Sequence, residues 1–118
     1  MRFLVMVKAT PASEAGEMPS TEMLAKMGAF NQELVKDGMI LDAGGLHPTS
    51  RGARISFAGG KPTVTDGPFT ETKELVAGFW MLQGKSKEEI VERLSRAPFE
   101  RGEQIEIRPL HEPEDYAP

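Results

Sequence analysis

The strongest pattern along the chain is a pair of uninterrupted apolar runs of strand length, Phe3–Val7 and Leu75–Leu82. Continuous runs of this kind are typical of strands that are covered on both faces. By contrast, Gln104–Leu110 alternates isoleucine with charged residues, which is the pattern of a strand with one wet face. The sequence therefore predicts a sheet in which at least two strands need cover on both sides.

Two helices are predicted between these strands. Ser20 is placed to cap the first helix, which runs to about Asp37, and Gly38 is placed to end it in the left-handed conformation. Its apolar stripe recurs at helical spacing: Met23, Met27, Phe30 and Leu34. Ser86 and Glu89 form a capping box that begins the second helix, whose expected apolar face is Ile90, Val91 and Leu94. The segment Ala9–Pro19 is predicted as a loop.

The remaining segments complete an α+β order of elements. Met39–Leu41 begins a strand, and Ala53–Ala58 and Pro62–Thr65 flank two glycines as a β-hairpin. The resulting order, β-α-β, a hairpin insert and β-α-β, predicts a ferredoxin-like βαββαβ antiparallel sheet. We expect one domain over residues 1–110 and a loosely ordered C-terminal tail over residues 111–118.

Two helices can cover only one face of such a sheet. Large side chains are nevertheless expected on the other face: Leu4, Met6, Phe79 and Trp80. Leaving them in water forfeits roughly 25 cal/mol per Å² of apolar area. We therefore predict a homodimer packed through the sheet face, and the alternative is that the chain's own loops fold over it.

Composition and charge exclude several classes of protein. The 118 residues, 39% hydrophobic and 27% charged, are typical of one globular domain. The net charge of −4 argues against nucleic-acid binding, which needs clustered basic residues. There is no cysteine, and the two histidines, His47 and His111, lack metal-ligand spacing, so no metal site is predicted. No run approaches the roughly 18 apolar residues of a membrane span, and we expect a cytoplasmic protein.

The most unusual stretch is Val64–Glu74, which reads VTDGPFTETKE. Together with Gly44–Pro48, Gly78–Trp80 and Ile105–Arg108, it makes the chain resemble the YCII-related family, in its DGPF-domain branch, over almost its full length. The resemblance implies a bacterial protein with a dimeric α/β barrel built from two ferredoxin-like protomers. It also implies a His–Asp pair in a pocket, a superfamily that includes ring-processing lyases, and a gene that in some members lies near extracytoplasmic-function sigma factors.

The candidate catalytic residues are His47 and Asp66. A carboxylate that accepts from one imidazole nitrogen would fix the tautomer and leave the other nitrogen as a general base. The alternatives are a solvated loop histidine and an aspartate that bonds its own turn. Arg51 and Arg54 are candidates for binding an anionic substrate, and Arg54 could instead be an outward residue paired with an acid.

Two functions remain open at this stage. One is a cofactor-free acid–base enzyme (isomerase, lyase or hydrolase) that acts on a small metabolite in an apolar cavity between sheet and helices, entered near His47 and Asp66. The alternative is a non-catalytic dimeric module that binds a small molecule or associates with a sigma factor, or a purely structural dimer. A hydrogen bond between His47 and Asp66 would favour the enzyme.

Overall fold

A computed structural model describes residues 1–100 and 102–116, apart from the side chain of residue 73. Over these residues the strands are β1 (Arg2–Lys8), β2 (Ile40–Gly45), β3 (Ala53–Ser56), β4 (Thr63–Asp66), β5 (Val76–Gln83) and β6 (Ile105–Pro109). The α-helices are α1 (Pro11–Glu14), α2 (Thr21–Lys36) and α3 (Lys87–Leu94). Short 3₁₀ turns lie at Thr49–Arg51, Ala58–Gly60, Thr72–Glu74 and Pro113–Tyr116.

The main sheet has four antiparallel strands in the order β2-β5-β1-β6, and β3 and β4 form a separate two-stranded hairpin. Without the hairpin, the order of elements along the chain is β-α-β followed by β-α-β. This is the ferredoxin-like α+β fold that the sequence predicts, including the hairpin insert.

The hydrophobic core lies between this sheet and helices α2 and α3. Because side chains alternate along a strand, Phe3 and Val5 point toward the helices, as do their cross-strand partners Leu82 and Trp80. The helices contribute Phe30, Leu34, Ile90 and Leu94 to the same cluster. The fully buried members fill the space where the sequence had suggested an apolar cavity: Phe3, Val5, Leu34, Leu82 and Ile90.

The opposite face of the sheet carries a second apolar column. Leu4 pairs with Met81 and Met6 pairs with Phe79, and all four side chains are half-buried within one chain. We call these four residues the sheet column. The prediction that Trp80 belongs to this face was wrong, because Trp80 pairs with Val5 on the helix side and its indole N–H donates to Asn31 Oδ1 at 2.8 Å.

The helix boundaries largely follow the sequence signals. Ser20 caps α2 and Ser86 caps α3, each by accepting from the amide three residues on. Gly38 has φ 68°, the left-handed conformation expected at the end of α2. The predicted apolar face of α3 was wrong at one residue. Ile90 and Leu94 are buried, but Val91, which follows Ile90 around the helix, is 44% exposed.

Segments near the two ends of the chain meet at the start of β1. Arg2 Nε and Nη2 donate to the two carboxylate oxygens of Glu112 at 3.0 and 3.2 Å, which ties the start of the C-terminal tail to β1. Residues 117 and 118 of the predicted tail, and residue 101 of the predicted domain, lie outside the described residues. Across the described ranges, none of the helices has the length and hydropathy needed to cross a membrane.

Candidate functional site

Three segments that are distant in sequence meet at Thr49. Glu14, at the end of α1, accepts from the Thr49 amide at 3.0 Å and from the Thr49 hydroxyl at 2.6 Å. The same hydroxyl oxygen accepts from the Phe69 amide at 3.0 Å. We call Glu14, Thr49 and Phe69 the loop junction. The loop junction joins α1, the loop after β2 and the turn after β4. It therefore fixes the backbone of the two segments that carry His47 and Asp66.

Helix α1 corrects the prediction of a loop over Ala9–Pro19. Thr10 accepts from the Ser13 amide at 3.1 Å and Ser13 Oγ accepts from the Thr10 amide at 2.9 Å, so the two residues form a reciprocal capping box. Pro11 occupies the first helical position, where a missing N–H costs nothing. This single turn of helix places Glu14 against Thr49.

Gly67 allows the turn Asp66–Phe69 (the DGPF turn) to lie directly on the loop after β2. Its amide donates to Gly52 O at 3.0 Å, and a Cβ at this position would lie 1.8 Å from the backbone oxygen of Thr49. Only glycine permits this approach. The Gly67–Pro68 peptide bond is cis.

His47 lies on the exposed loop that the junction holds, and its neighbour is Arg51. Arg51 Nη1 is 3.2 Å from His47 Nδ1 and 3.2 Å from His47 Nε2. The 3₁₀ turn Thr49–Arg51 brings the guanidinium back over the imidazole. Since arginine only donates, the imidazole must accept through an unprotonated nitrogen. The structure therefore places a fixed cation, rather than a carboxylate, beside the candidate base.

The side chain of Arg54 projects from β3 on the polar face of the β3–β4 hairpin. Its guanidinium carbon is 3.7 Å from the centroid of the Phe69 ring, and Nη2 is 3.7 Å from Glu71 Oε2. The side chains of Arg54 and Glu71 are both about half exposed, at 54% and 53%. Arg54 is thus paired with an acid, as one of the two sequence interpretations had it, and it also stacks on the DGPF turn.

Asp66 is the last residue of β4 and is exposed. The turn role expected for it fails for a chemical reason: the residue two positions on is Pro68, which has no N–H to donate. Within residues 1–100 and 102–116, the Asp66 carboxylate makes neither a hydrogen bond nor an ion pair, and none joins it to His47. His47 and Asp66 thus stand on adjoining segments without direct contact in one chain.

Two surface depressions lie away from His47 and Asp66. One of about 440 Å³ is lined by Thr70, Glu71, Thr72 and Glu74, just after the DGPF turn. Another of about 430 Å³ opens between α3 and β6. In the part of the chain that the structure describes, no cluster of three histidine, aspartate or glutamate side chains is arranged to hold a metal ion.

Sequence reasoning missed Glu14 and Thr49. A signal for α1 was present, because a threonine followed at once by proline and three residues on by serine is a helix-start pattern. The contact of Glu14 with a residue 35 positions away has no local signal.

Comparison with known proteins gives a family match over most of the chain. A family model described as the YCII-related domain matches residues 1–113. A relative from Rhizobium meliloti (strain 1021), described as an uncharacterised protein, is 32% identical over 91 residues, which is 75% of this chain and 73% of the relative.

A solved structure is similar along most of its length. It is the 5-chloro-2-hydroxyhydroquinone dehydrochlorinase TftG from Burkholderia phenoliruptrix AC1100, in complex with 2,5-dihydroxybenzoquinone. It is 19% identical, the match covers 95% of this chain and 96% of that one, and the TM-score is 0.46. Similarity at this level supports no inference about chemistry.

Proposed function

This chain belongs to the YCII-related family, and on that premise we propose that it is a cofactor-free acid–base enzyme acting on a small anionic metabolite. The observation that carries the proposal is the contact of Arg51 with His47 at 3.2 Å on a loop that the junction holds. An anion bound by that guanidinium lies against the imidazole, which is the geometry that proton transfer requires.

Arg51 binds the substrate and His47 transfers the proton. A guanidinium has five N–H donors in a planar fork, so it can hold a carboxylate or phenolate with some donors while another remains near His47. When Arg51 turns its donors to the substrate anion, the imidazole nitrogen that accepted from it has its lone pair free. That nitrogen takes a proton from substrate carbon or oxygen and returns it to the product. These two proton transfers are sufficient for isomerisation or elimination without a metal or an organic cofactor.

The loop junction supports this role by fixing the backbone. Proton transfer depends on positions that are accurate to a fraction of an ångström, and the junction contributes hydrogen bonds of 2.6–3.0 Å around Thr49. Asp66 and Arg54 enter the proposal as the carboxylate that orients His47 and a second anion-binding group. Their place on segments packed against the same loop supports these roles.

The protein is proposed to work as a homodimer packed through the sheet face. Leu4, Met6, Phe79 and Met81 remain half-buried within one chain, and a second sheet laid against them would remove their apolar area from water. A chain without cysteine is consistent with a protein of the reducing cytoplasm.

A second candidate function is supported by a specific observation. The imidazole of His47 is exposed and meets a cation rather than a carboxylate, and an arginine–histidine pair can bind an anion without turnover. In that case the protein is a non-catalytic dimeric module that senses a small anion or associates with a sigma factor.

Deuterium exchange tests the enzyme proposal without knowledge of the product. The protein is incubated in D₂O with a panel of small keto acids, hydroxy acids and hydroxylated benzoates, and proton NMR follows the loss of each carbon-bound proton. We expect wild-type protein to label at least one compound, and His47→Gln to lower that rate by about 10²–10⁴-fold. Arg51→Gln should raise KM more than it lowers kcat.

His111→Gln is the matched control, because His111 is the other histidine and, within the described residues, its ion pair and its ring contact are with Asp115 and Tyr116 of the tail. It should exchange at the wild-type rate. Equal exchange in wild type and His47→Gln would refute the proposed base. Saturable binding that needs Arg51 but gives no exchange or turnover would favour the binding module.

A further inference from the structure

The β3–β4 hairpin, residues 53–66, has an apolar face that this chain leaves bare. Ile55 and Val64 face each other across the two strands, and they are 56% and 62% exposed. Phe57, at the tip, is 74% exposed. The strands alternate apolar with polar residues, which is typical of a hairpin that is covered on one face. We call this hairpin the arm.

The polar face of the arm is held by its own chain. Arg54 lies over Phe69 and is paired with Glu71, both of which follow β4. Because the two faces of a hairpin point in opposite directions, this attachment turns Ile55 and Val64 away from the DGPF turn. A two-stranded hairpin is at best marginally stable alone, so cover for the apolar face is needed from elsewhere.

A groove of about 430 Å³ lies at the other edge of the molecule, between α3 and β6. Apolar side chains line it together with the polar side chains of Ser95, Glu100 and Glu103. Leu94 and Ile107 belong to its floor, and Phe99 at its wall makes an edge-to-face contact with Trp80 of the core. Val91, 44% exposed, lies on its rim. We call this the edge groove.

We infer that each arm docks in the edge groove of a second copy of this chain, with Phe57 inserted. The inference rests on the proposed dimer and adds a contact to it. The arm follows β2, whereas the groove of the same chain lies along β6, and these are the two outer strands, roughly 14 Å apart at about 4.8 Å per strand. Its attachment through Arg54 holds it on the β2 side.

The shape of one chain fits an exchange of arms. The radius of gyration is 16.5 Å and the extents are 48 × 47 × 20 Å, whereas a compact domain of this length has a radius of gyration of about 13.5 Å. The chain is flat, and an appendage projects from it. A flat chain with a projecting hairpin can bury these apolar faces by pairing with a second copy.

Symmetry brings the arm and the edge groove together. A two-fold axis that runs along the strand direction, midway between two facing sheets, sets β2 of one copy over β6 of the other. The arm that continues from β2 then passes the β6 edge of its partner, where the edge groove opens. The same operation places the partner's arm in the first copy's groove.

The area of the sheet alone is small for a stable dimer. Four strands of about seven residues present a face of roughly 19 by 23 Å, or about 440 Å² in projection, whereas a standard interface buries about 800 Å² on each partner. Docking of both arms adds contact area on each side. It also places a second chain beside the arm, which carries Arg54 and Asp66.

Cross-linking between unlike chains tests the docking directly, because the natural sequence contains no cysteine. Ala58→Cys, beside Phe57, and Ser95→Cys, on the edge groove, are made in separate chains that differ in mass. After mixing and exchange of subunits, a short thiol-reactive linker should join unlike chains. The matched control replaces Ser95→Cys by Gly28→Cys, an exposed position on α2 with open space around it, and should give little product.

A second measurement removes the insertion. Phe57→Ser should raise the dimer dissociation constant at least tenfold in sedimentation equilibrium. The circular dichroism spectrum should be unchanged, because Phe57 is 74% exposed and lies outside the hydrophobic core of the described residues. Met18→Ser, which removes another exposed apolar side chain, 80% exposed, should leave the constant unchanged. A dimer that shows no cross-link above the control and is insensitive to Phe57→Ser would overturn arm docking while leaving the sheet dimer intact. A monomeric wild type would overturn both.

Discussion

Gly67→Ala should destabilise the protein, although it adds only one methyl group. The new Cβ would lie 1.8 Å from Thr49 O and 2.6 Å from Thr49 C, both backbone atoms that no side-chain rotation can move aside. An ordinary contact of 3.4 Å requires the DGPF turn to move away by about 1.6 Å. That displacement is larger than a hydrogen bond tolerates.

The magnitude follows from the contacts that such a shift breaks. The Gly67 amide to Gly52 O and the Phe69 amide to Thr49 Oγ1, both 3.0 Å, would lengthen to about 4.6 Å. Two lost hydrogen bonds at about 0.5–1.5 kcal/mol each lower the free energy of unfolding by about 1–3 kcal/mol. At a slope of about 1–3 kcal/mol per molar urea, the midpoint falls by roughly 1 M.

Urea unfolding monitored through the fluorescence of the single tryptophan, Trp80, measures this loss. Gly28→Ala is the matched control with the opposite sign: Gly28 lies inside α2 and a Cβ there meets nothing within 4 Å. Alanine should therefore raise the free energy of unfolding by about 0.5–1 kcal/mol. All variants are compared at one protein concentration, because a dimer unfolds at a concentration-dependent midpoint. If Gly67→Ala proves as stable as wild type, the close approach of the DGPF turn to Thr49 is not a feature of the folded protein.

Two further predictions concern Thr49 and the chain ends. Thr49→Val should lower the free energy of unfolding by about 1–3 kcal/mol, because Glu14 Oε2 and the Phe69 amide both lose the hydroxyl that they bond. Thr49→Ser keeps the hydroxyl and should stay close to wild type in the same urea assay, and equal losses in both variants would count against the junction. The hydrogen bond from Arg2 lowers the pKa of Glu112, so the stability contributed by this pair is present above the ordinary glutamate pKa of about 4.3 and is lost as the pH falls through the lowered value. Wild type should therefore exceed Glu112→Gln in urea midpoint at pH 7 and lose that advantage in acid, and a constant difference across the pH series would contradict the assignment.

The elements of the fold could be predicted because their signals are local. The apolar runs of β1 and β5, the stripe on α2 and the serine caps each depend on neighbouring residues. Trp80 was assigned to the wrong face because an apolar run does not show which alternate residue points inward. That choice depends on register, and register is set by the pairing of Trp80 with Val5 on another strand.

The candidate site could be predicted only in part, because its geometry depends on contacts between distant segments. The sequence identified His47 and Asp66 as chemically able and placed them on adjoining loops, but it paired them with each other. The nearest charged partner of His47 is Arg51, four residues along, brought back by a 3₁₀ turn with no strong sequence signal. What holds that loop is Glu14, on a helix of one turn that is distant in sequence.

The local rule that favoured a turn role for Asp66 failed at Pro68, which lacks the N–H that the rule assumes. Asp66 therefore remains an exposed carboxylate beside a loop with a histidine and an arginine, on an arm with a bare apolar face. The contacts of Gly67 and Phe69 with Gly52 and Thr49 set the position of the Asp66 segment relative to the His47 loop. These contacts join segments that are distant in sequence, so no local pattern could have predicted them.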